Sequence, residues 1–281
     1  MIIDAHCHAW RYWPYQPPVP DPTSRGIVEQ LLFEMDQHGI ERAAIVCARI
    51  DHNPDNNDYV AECVARYPDR LYQLADVDCS WMPTYHTTGA AERLKESVAR
   101  YGHRGFTHYV RADDDGSWFL SEDGLRFFTT AQEFHQLVSI ALPARLQPVL
   151  RQLAGRFPEL TFLCHHMAGA RVAEPSPRPL LGEIIRSAQV PNIMLKLSGF
   201  HYVSRVPYGF PFADCHDIVH QLYAAYGPGR LCWGSDYPVL RQFLTYQQAL
   251  EAFRTYCDFV PQEHHAQILG DNLLRLLTRG G

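Results

Sequence analysis

Short runs of β-branched and aromatic residues alternate along the chain with longer stretches in which apolar residues return every three or four positions, and most of the longer stretches end at Gly or Pro. MIIDAHCHA reads as the first strand, with Ile2 to His6 in its body, and a polar, Pro-rich loop leads from it into a helix through IVEQLLFEMDQHG. The order then repeats. RAAIVCARI, LYQLADVD, RGFTHYV, VSIALP, TFLCHHMAG, NIMLKLSGF and LCWGSDYPV read as strands two to eight, separated by amphipathic segments such as DYVAECVARYP and AAERLKESVARYG. A last helix, HHAQILGDNLLRLL, follows the eighth unit. Eight strand-helix units in 281 residues predict an α/β fold, a (β/α)8 TIM barrel, as a single domain over residues 1–281 with an extra C-terminal helix. No G-x-G-x-x-G follows the first strand, which speaks against an open dinucleotide-binding sheet.

Composition narrows the partners. Lys plus Arg number 25 against 31 Asp plus Glu, a formal charge of -6 spread without basic blocks, which points away from nucleic acid and towards a small-molecule substrate. No apolar run reaches the length of a membrane span. Eight scattered cysteines without a C-x-x-C pair, and no basic leader, imply reduced thiols and a cytoplasmic location. The oligomeric state stays open, a homodimer included.

In a TIM barrel the polar residues at the C-terminal strand ends are the ones to weigh as a site. Regular alternation on the first strand would put Ile2, Asp4, His6 and His8 on one face and Ile3, Ala5 and Cys7 on the other. His165 and His166 end the sixth strand, Lys196 with Ser198 the seventh, and Asp236 the eighth, beside the first once the barrel closes. Three imidazoles and a carboxylate suit one divalent metal ion, zinc first and manganese second, with a water in the open position. Of the vicinal histidines a regular strand lets one face inward. His108 and Arg111 beyond strand four, Arg49 and His52 beyond strand two, and Tyr202 with His201 are candidate substrate contacts, although Arg111 could equally pair with Asp113 to Asp115 and a loop histidine is more often solvated. Trp10, Tyr12, Trp13 and Tyr15 either wall a substrate or pack over the barrel top. His38, His135, His216, His220, His264 and His265 read as surface or cap residues.

The ordered set DAHCHAW, NNDYVAECVARYPDRL, FLCHHMAG, IMLKLSG, WGSDYP and ILGDNLLRLL, spanning nearly the whole chain, resembles the amidohydrolase-related family of TIM-barrel hydrolases within the amidohydrolase superfamily. It looks nearest to the branch of sugar-lactone and pyrone-dicarboxylate lactonases. The resemblance assigns metal and catalytic roles to His6, His8, His166 and Asp236, with His166 favoured over His165. Metal-dependent relatives usually add a His or Lys at the end of strand five, where VSIALPAR offers Leu142, Pro143 and then Arg145; that resembles the lactonase branch, in which hydrolysis can proceed without a bound divalent ion. Strand four also departs, with Thr107 and His108 where lactonases of this type tend to carry an Arg.

The expected function is opening of a lactone of a small sugar-derived or aromatic-degradation metabolite. Asp236 acts as general base on water, while His6, His8, His166, a metal or Lys196 stabilise the oxyanion. A metal-dependent non-oxidative decarboxylase leans on the missing strand-five ligand. A barrel that binds a metabolite or metal without turnover has no use for a carboxylate opposite the imidazoles.

Overall fold

The computed structural model describes residues 1–278. Eight parallel strands follow one another around the sheet in chain order: β1 (Ile3–Cys7), β2 (Arg42–Val46), β3 (Leu71–Asp76), β4 (Gly105–Tyr109), β5 (Leu137–Ala141), β6 (Thr161–Cys164), β7 (Ile193–Leu197) and β8 (Leu231–Trp233). Helices α1 (Val28–Gln37), α2 (Asn56–Arg66), α3 (Ala90–Tyr101), α4 (Glu122–Glu133), α5 (Gln147–Arg156), α6 (Pro179–Ser187), the short α7 (Phe200–Val203), α8 (His216–Tyr226) and α9 (Tyr246–Arg254) surround it. Among the described residues no helix is long and apolar enough to cross a membrane.

Parallel strands are covered on both faces, and two apolar clusters result. The larger lies between strands and helices. The smaller fills the barrel interior with Ile3, Ala5, Val46, Leu74, Leu163 and Met194. The last helix, α10 (Asn272–Thr278), inserts Leu273, Leu276 and Leu277 into that inner cluster, so it plugs the N-terminal end of the barrel. The opposite end is left for chemistry.

The first strand departs from the regular alternation expected of it. Ile3 and Ala5 face the interior, and the Asp4 carboxylate turns outward to the Tyr246 hydroxyl of α9, 2.8 Å away. Pairing with β2 explains the change: Asp4 opposes Ala43 and Cys7 opposes Ile45, so three steps on β1 match two on β2. This is a β-bulge. It re-phases the strand, and His6 and His8 point inward although Asp4 does not.

Asp4 instead locks the barrel seam. Its carboxylate accepts hydrogen bonds from the Ser235 amide (2.9 Å), the Ser235 hydroxyl and the His6 amide (3.0 Å). Beyond it the Asp236 amide donates to the His6 carbonyl (2.7 Å) and the His8 amide to the Tyr237 carbonyl (2.6 Å). Burial raises the Asp4 pKa, against the pull of its four hydrogen bonds.

Gly234 sits in this seam, where an added Cβ would lie 2.8 Å from the His6 Cβ and 2.9 Å from the His6 nitrogen. Gly234→Ala is therefore expected to destabilise the fold by about 1–3 kcal/mol through overpacking against backbone that cannot retreat. Urea denaturation measures it, and an unchanged midpoint would show that the seam has slack.

Candidate active site

Four imidazole Nε2 atoms surround one carboxylate at the C-terminal mouth of the barrel. His6 and His8 lie 3.4 and 3.5 Å from Asp236 Oδ1, His166 lies 3.9 Å from the same oxygen, and His201 lies 3.6 Å from Oδ2. Each arrives by a different local device. His6 and His8 follow the bulge of β1. His166 follows Cys164 and His165 into a run of positive φ (44° at His166, 51° at Met167, 55° at Ala168), which turns the chain out of the strand. Both vicinal histidines therefore reach the barrel mouth. Asp236 also takes a left-handed conformation, φ 67°, just after β8.

Gly199 makes room for this turn. With φ at 66°, it sits where a Cβ would come within 2.7 Å of both His166 Nδ1 and Tyr202 Cδ2. The Ser198 hydroxyl lies 3.0 Å from His166 Nδ1 and orients the ring. Tyr202 and His201 are carried on α7, which Gly199 opens.

Below the mouth Lys196 is fully buried on the inward phase of β7, between Leu195 and Leu197. Its Nζ lies 3.2 Å from His6 Nδ1 and 2.7 Å from the Ser139 hydroxyl of β5. Ser139 in turn lies 2.6 Å from His165 Nε2. His165 Nδ1 is buried without a protein hydrogen-bond partner. The His165 ring lines the cavity.

Burial pushes His6, His165 and His201 below the ordinary histidine value and His166 down to about 4, so these rings are neutral at physiological pH. Burial alone would raise Asp236, but His166 and His8 outweigh it and hold the acid below its usual value, hence ionised. Burial also lowers Lys196 to about 7.

The donor set fits a divalent cation. His8 Nδ1 donates to the Val46 carbonyl at 2.6 Å, which turns Nε2 towards the carboxylate. His6 Nε2, His201 Nε2 and Asp236 Oδ2 are buried with no partner. Ligands of a tetrahedral zinc at about 2.1 Å lie about 3.4 Å apart, which is the scale of the spacings around Asp236 Oδ1. His6, His8 and Asp236 form one compact triad and His6, His165 and His166 a second, so His6 is common to both.

A cavity of about 610 Å³ opens above these residues. Tyr202 and Tyr15 line it, whereas Trp10 lies beneath, stacked on His8 at 4.8 Å. Arg49 and Arg111 lie outside it, donating to the Pro54 and Ser80 carbonyls (2.9 and 3.0 Å). His108 also lies outside, because Tyr109 takes the inward phase of β4 and His108 the outward one; it meets the Val77 carbonyl and His86 Nε2, both at 3.1 Å. The sequence offers His201 with Tyr202 as a candidate substrate contact, although the structure sets it against Asp236, and it does not single out Trp81, Tyr109, Ser139 or Arg171. The one clue to His201 is its place directly after the KLSG stretch that carries Lys196 and Ser198.

The amidohydrolase family model matches residues 3–279. The chain belongs to the amidohydrolase family. This amidohydrolase is 26% identical to an L-fucono-1,5-lactonase from Burkholderia ambifaria over 283 residues, covering 96% of this chain and 93% of the relative, in line with the resemblance to the lactonase branch. In fold it is similar to an amidohydrolase from Burkholderia multivorans with bound zinc (TM-score 0.80, 19% identity, 99% of each chain). A 2-pyrone-4,6-dicarboxylic acid hydrolase assigned in Pseudomonas putida shares the barrel as well (TM-score 0.76, 19% identity, 98% and 97% covered), and so do two decarboxylases.

Because burial lowers the Lys196 pKa from 10.5 to about 7, the unfolded amidohydrolase binds more protons across that window, and the cost of holding Lys196 inside fades as pH rises through it. Lys196→Met is expected to gain about 1–4 kcal/mol near pH 6, the gain shrinking towards zero near pH 10. Paired chemical denaturation at both pH values measures it; an advantage that does not shrink would mean that the buried lysine keeps its ordinary pKa and stays charged across the range.

Proposed function

We propose that this enzyme hydrolyses lactones, with Asp236 as general base. The observation that carries the reading is a single ionised carboxylate ringed by four imidazoles at the floor of a cavity. In this reading Asp236 takes a proton from the attacking water as the new C–O bond forms at the lactone carbonyl. The hydroxyl of Tyr202, which lies against Asp236, donates to the developing oxyanion. As the ring C–O bond breaks, Asp236 returns the proton to the departing oxygen and a hydroxy acid is released. A divalent ion held by His6, His8, His166 and Asp236, zinc first and manganese second, would supply Lewis acidity and a more acidic water. Lys196 and Ser198 act through the rings, holding His6 and His166 in place.

The decarboxylase reading has less support. β5 offers the barrel mouth Ser139 and Ala141, neither an imidazole nor an amine, and Ser139 is already engaged by Lys196 and His165.

Asp236→Asn is expected to lower kcat by about 10²–10⁴-fold with KM little changed, because the amide keeps the shape but accepts no proton. Steady-state kinetics on a lactone substrate decides it. A folded variant within about threefold of the parent, under about 1 kcal/mol of barrier, removes the general-base role. Elemental analysis after zinc or manganese titration is expected to find about one ion per chain, with His6→Asn and His8→Asn each weakening binding by about tenfold or more. Undiminished binding in both variants would place the ion elsewhere.

A further inference from the structure

Beyond the reacting end, the cavity carries a chemical preference of its own. Its outer wall is formed by Ile50, Trp81, Val110, Leu142, Pro143 and Val239. Trp81 presents only its ring, because its indole N–H is taken by Asp76 Oδ2 at 2.8 Å. The rings of Tyr15, Tyr109 and Tyr202 complete the lining, with Tyr109 4.8 Å from the Trp81 ring.

Cations are nearly absent from this wall. Arg171 is the one Lys or Arg among the described residues lining the cavity; it is largely exposed and donates to the Tyr202 carbonyl at 2.9 Å. Arg145, the nearest alternative past β5, is turned away to the carbonyls of Ala112 and Asp114 (2.5 and 2.7 Å). A dicarboxylate would find one cationic side chain, and a polyhydroxylated substituent would place its hydroxyls against Ile50, Val110, Leu142, Pro143 and Val239, which offer no side-chain hydrogen bond.

We infer that the site takes lactones bearing an alkyl or aryl substituent, with the ester at Asp236, the substituent against Trp81, Ile50 and Leu142, and at most one anionic group towards Arg171. The inference rests on the lactonase reading for the bond that is cleaved, but not for the shape and polarity of the wall. A volume of about 610 Å³ lies within the range of pockets that enclose a ring together with a sizeable substituent.

The test compares kcat/KM for hexyl- and phenyl-substituted δ-lactones, a sugar 1,5-lactone and a pyrone dicarboxylate under one metal condition. Calorimetric binding of the hexyl δ-lactam, which resists hydrolysis, and of a polyhydroxylated δ-lactam runs alongside. The substituted lactones are expected to exceed the other two by about tenfold or more, the scale of leaving one buried hydroxyl unpaired. Leu142→Gln should lower kcat/KM for the hexyl lactone about tenfold more than for unsubstituted δ-valerolactone, and an equal loss on both would count against the inference. A sugar lactone or dicarboxylate turned over best would overturn the apolar class and leave the lactonase reading standing. If no lactone is hydrolysed but the hexyl lactam binds more tightly than its hydroxylated counterpart, the wall is as inferred and the lactonase reading fails. No preference in either assay overturns the inference.

Discussion

The hydrogen-bonded seam between the first and last strands is the constraint on which the site depends. Asp4 holds Ser235, and the backbone pairs of His6 with Asp236 and His8 with Tyr237 then bring residues more than two hundred positions apart into register. Without that join the HxH pair and Asp236 would sit on opposite free edges of an open sheet. The bulge in β1 belongs to the same device: it turns Asp4 out to grip the seam and the two histidines in towards the mouth. Barrel closure and the site are one structural problem with one solution.

Electrostatics then divides the site into layers. Lys196 lies deepest, the neutral imidazoles lie above it, and the Asp236 carboxylate occupies the centre of the mouth. Burial works against every charge here. At Asp236 the neighbouring His166 and His8 outweigh it and hold the acid below its usual value, and an ionised acid is what a base or an anionic metal ligand requires. Ser139 lies between Lys196 and His165 and ties the deepest group to a ring on the cavity wall. A buried lysine costs stability, and the arrangement it organises accounts for its presence in a barrel interior otherwise lined by Ala, Val, Leu and Met.

Much of this was legible in the residues. The alternation of strand and helix predicts the barrel, because each short apolar run must be covered on both faces and each amphipathic segment must cover one. Lys196 between two leucines already shows the inward phase of β7, and the ordered motifs single out His6, His8, His166 and Asp236, which the fold assembles around one carboxylate. Such features are local, set by periodicity within a single strand.

What only the tertiary structure decided lies wherever that periodicity breaks or a contact spans the barrel. A one-residue bulge reversed Asp4, and positive φ at His166 let both vicinal histidines turn inward; neither can be read from an alternating pattern, since each depends on backbone pairing with another strand. His108 lost its place at the cavity to Tyr109 by the parity of β4, and Arg49 and Arg111 were drawn to nearby carbonyls by loop geometry. His201 and Arg171 joined the mouth and cavity wall from loops whose paths depend on the elements beneath them. By itself the sequence determined the fold and named the candidate groups at the barrel mouth, because those follow from short-range patterns of polarity and ordered local motifs. The orientation of each group and the character of the cavity wall were settled by packing between segments distant in the chain.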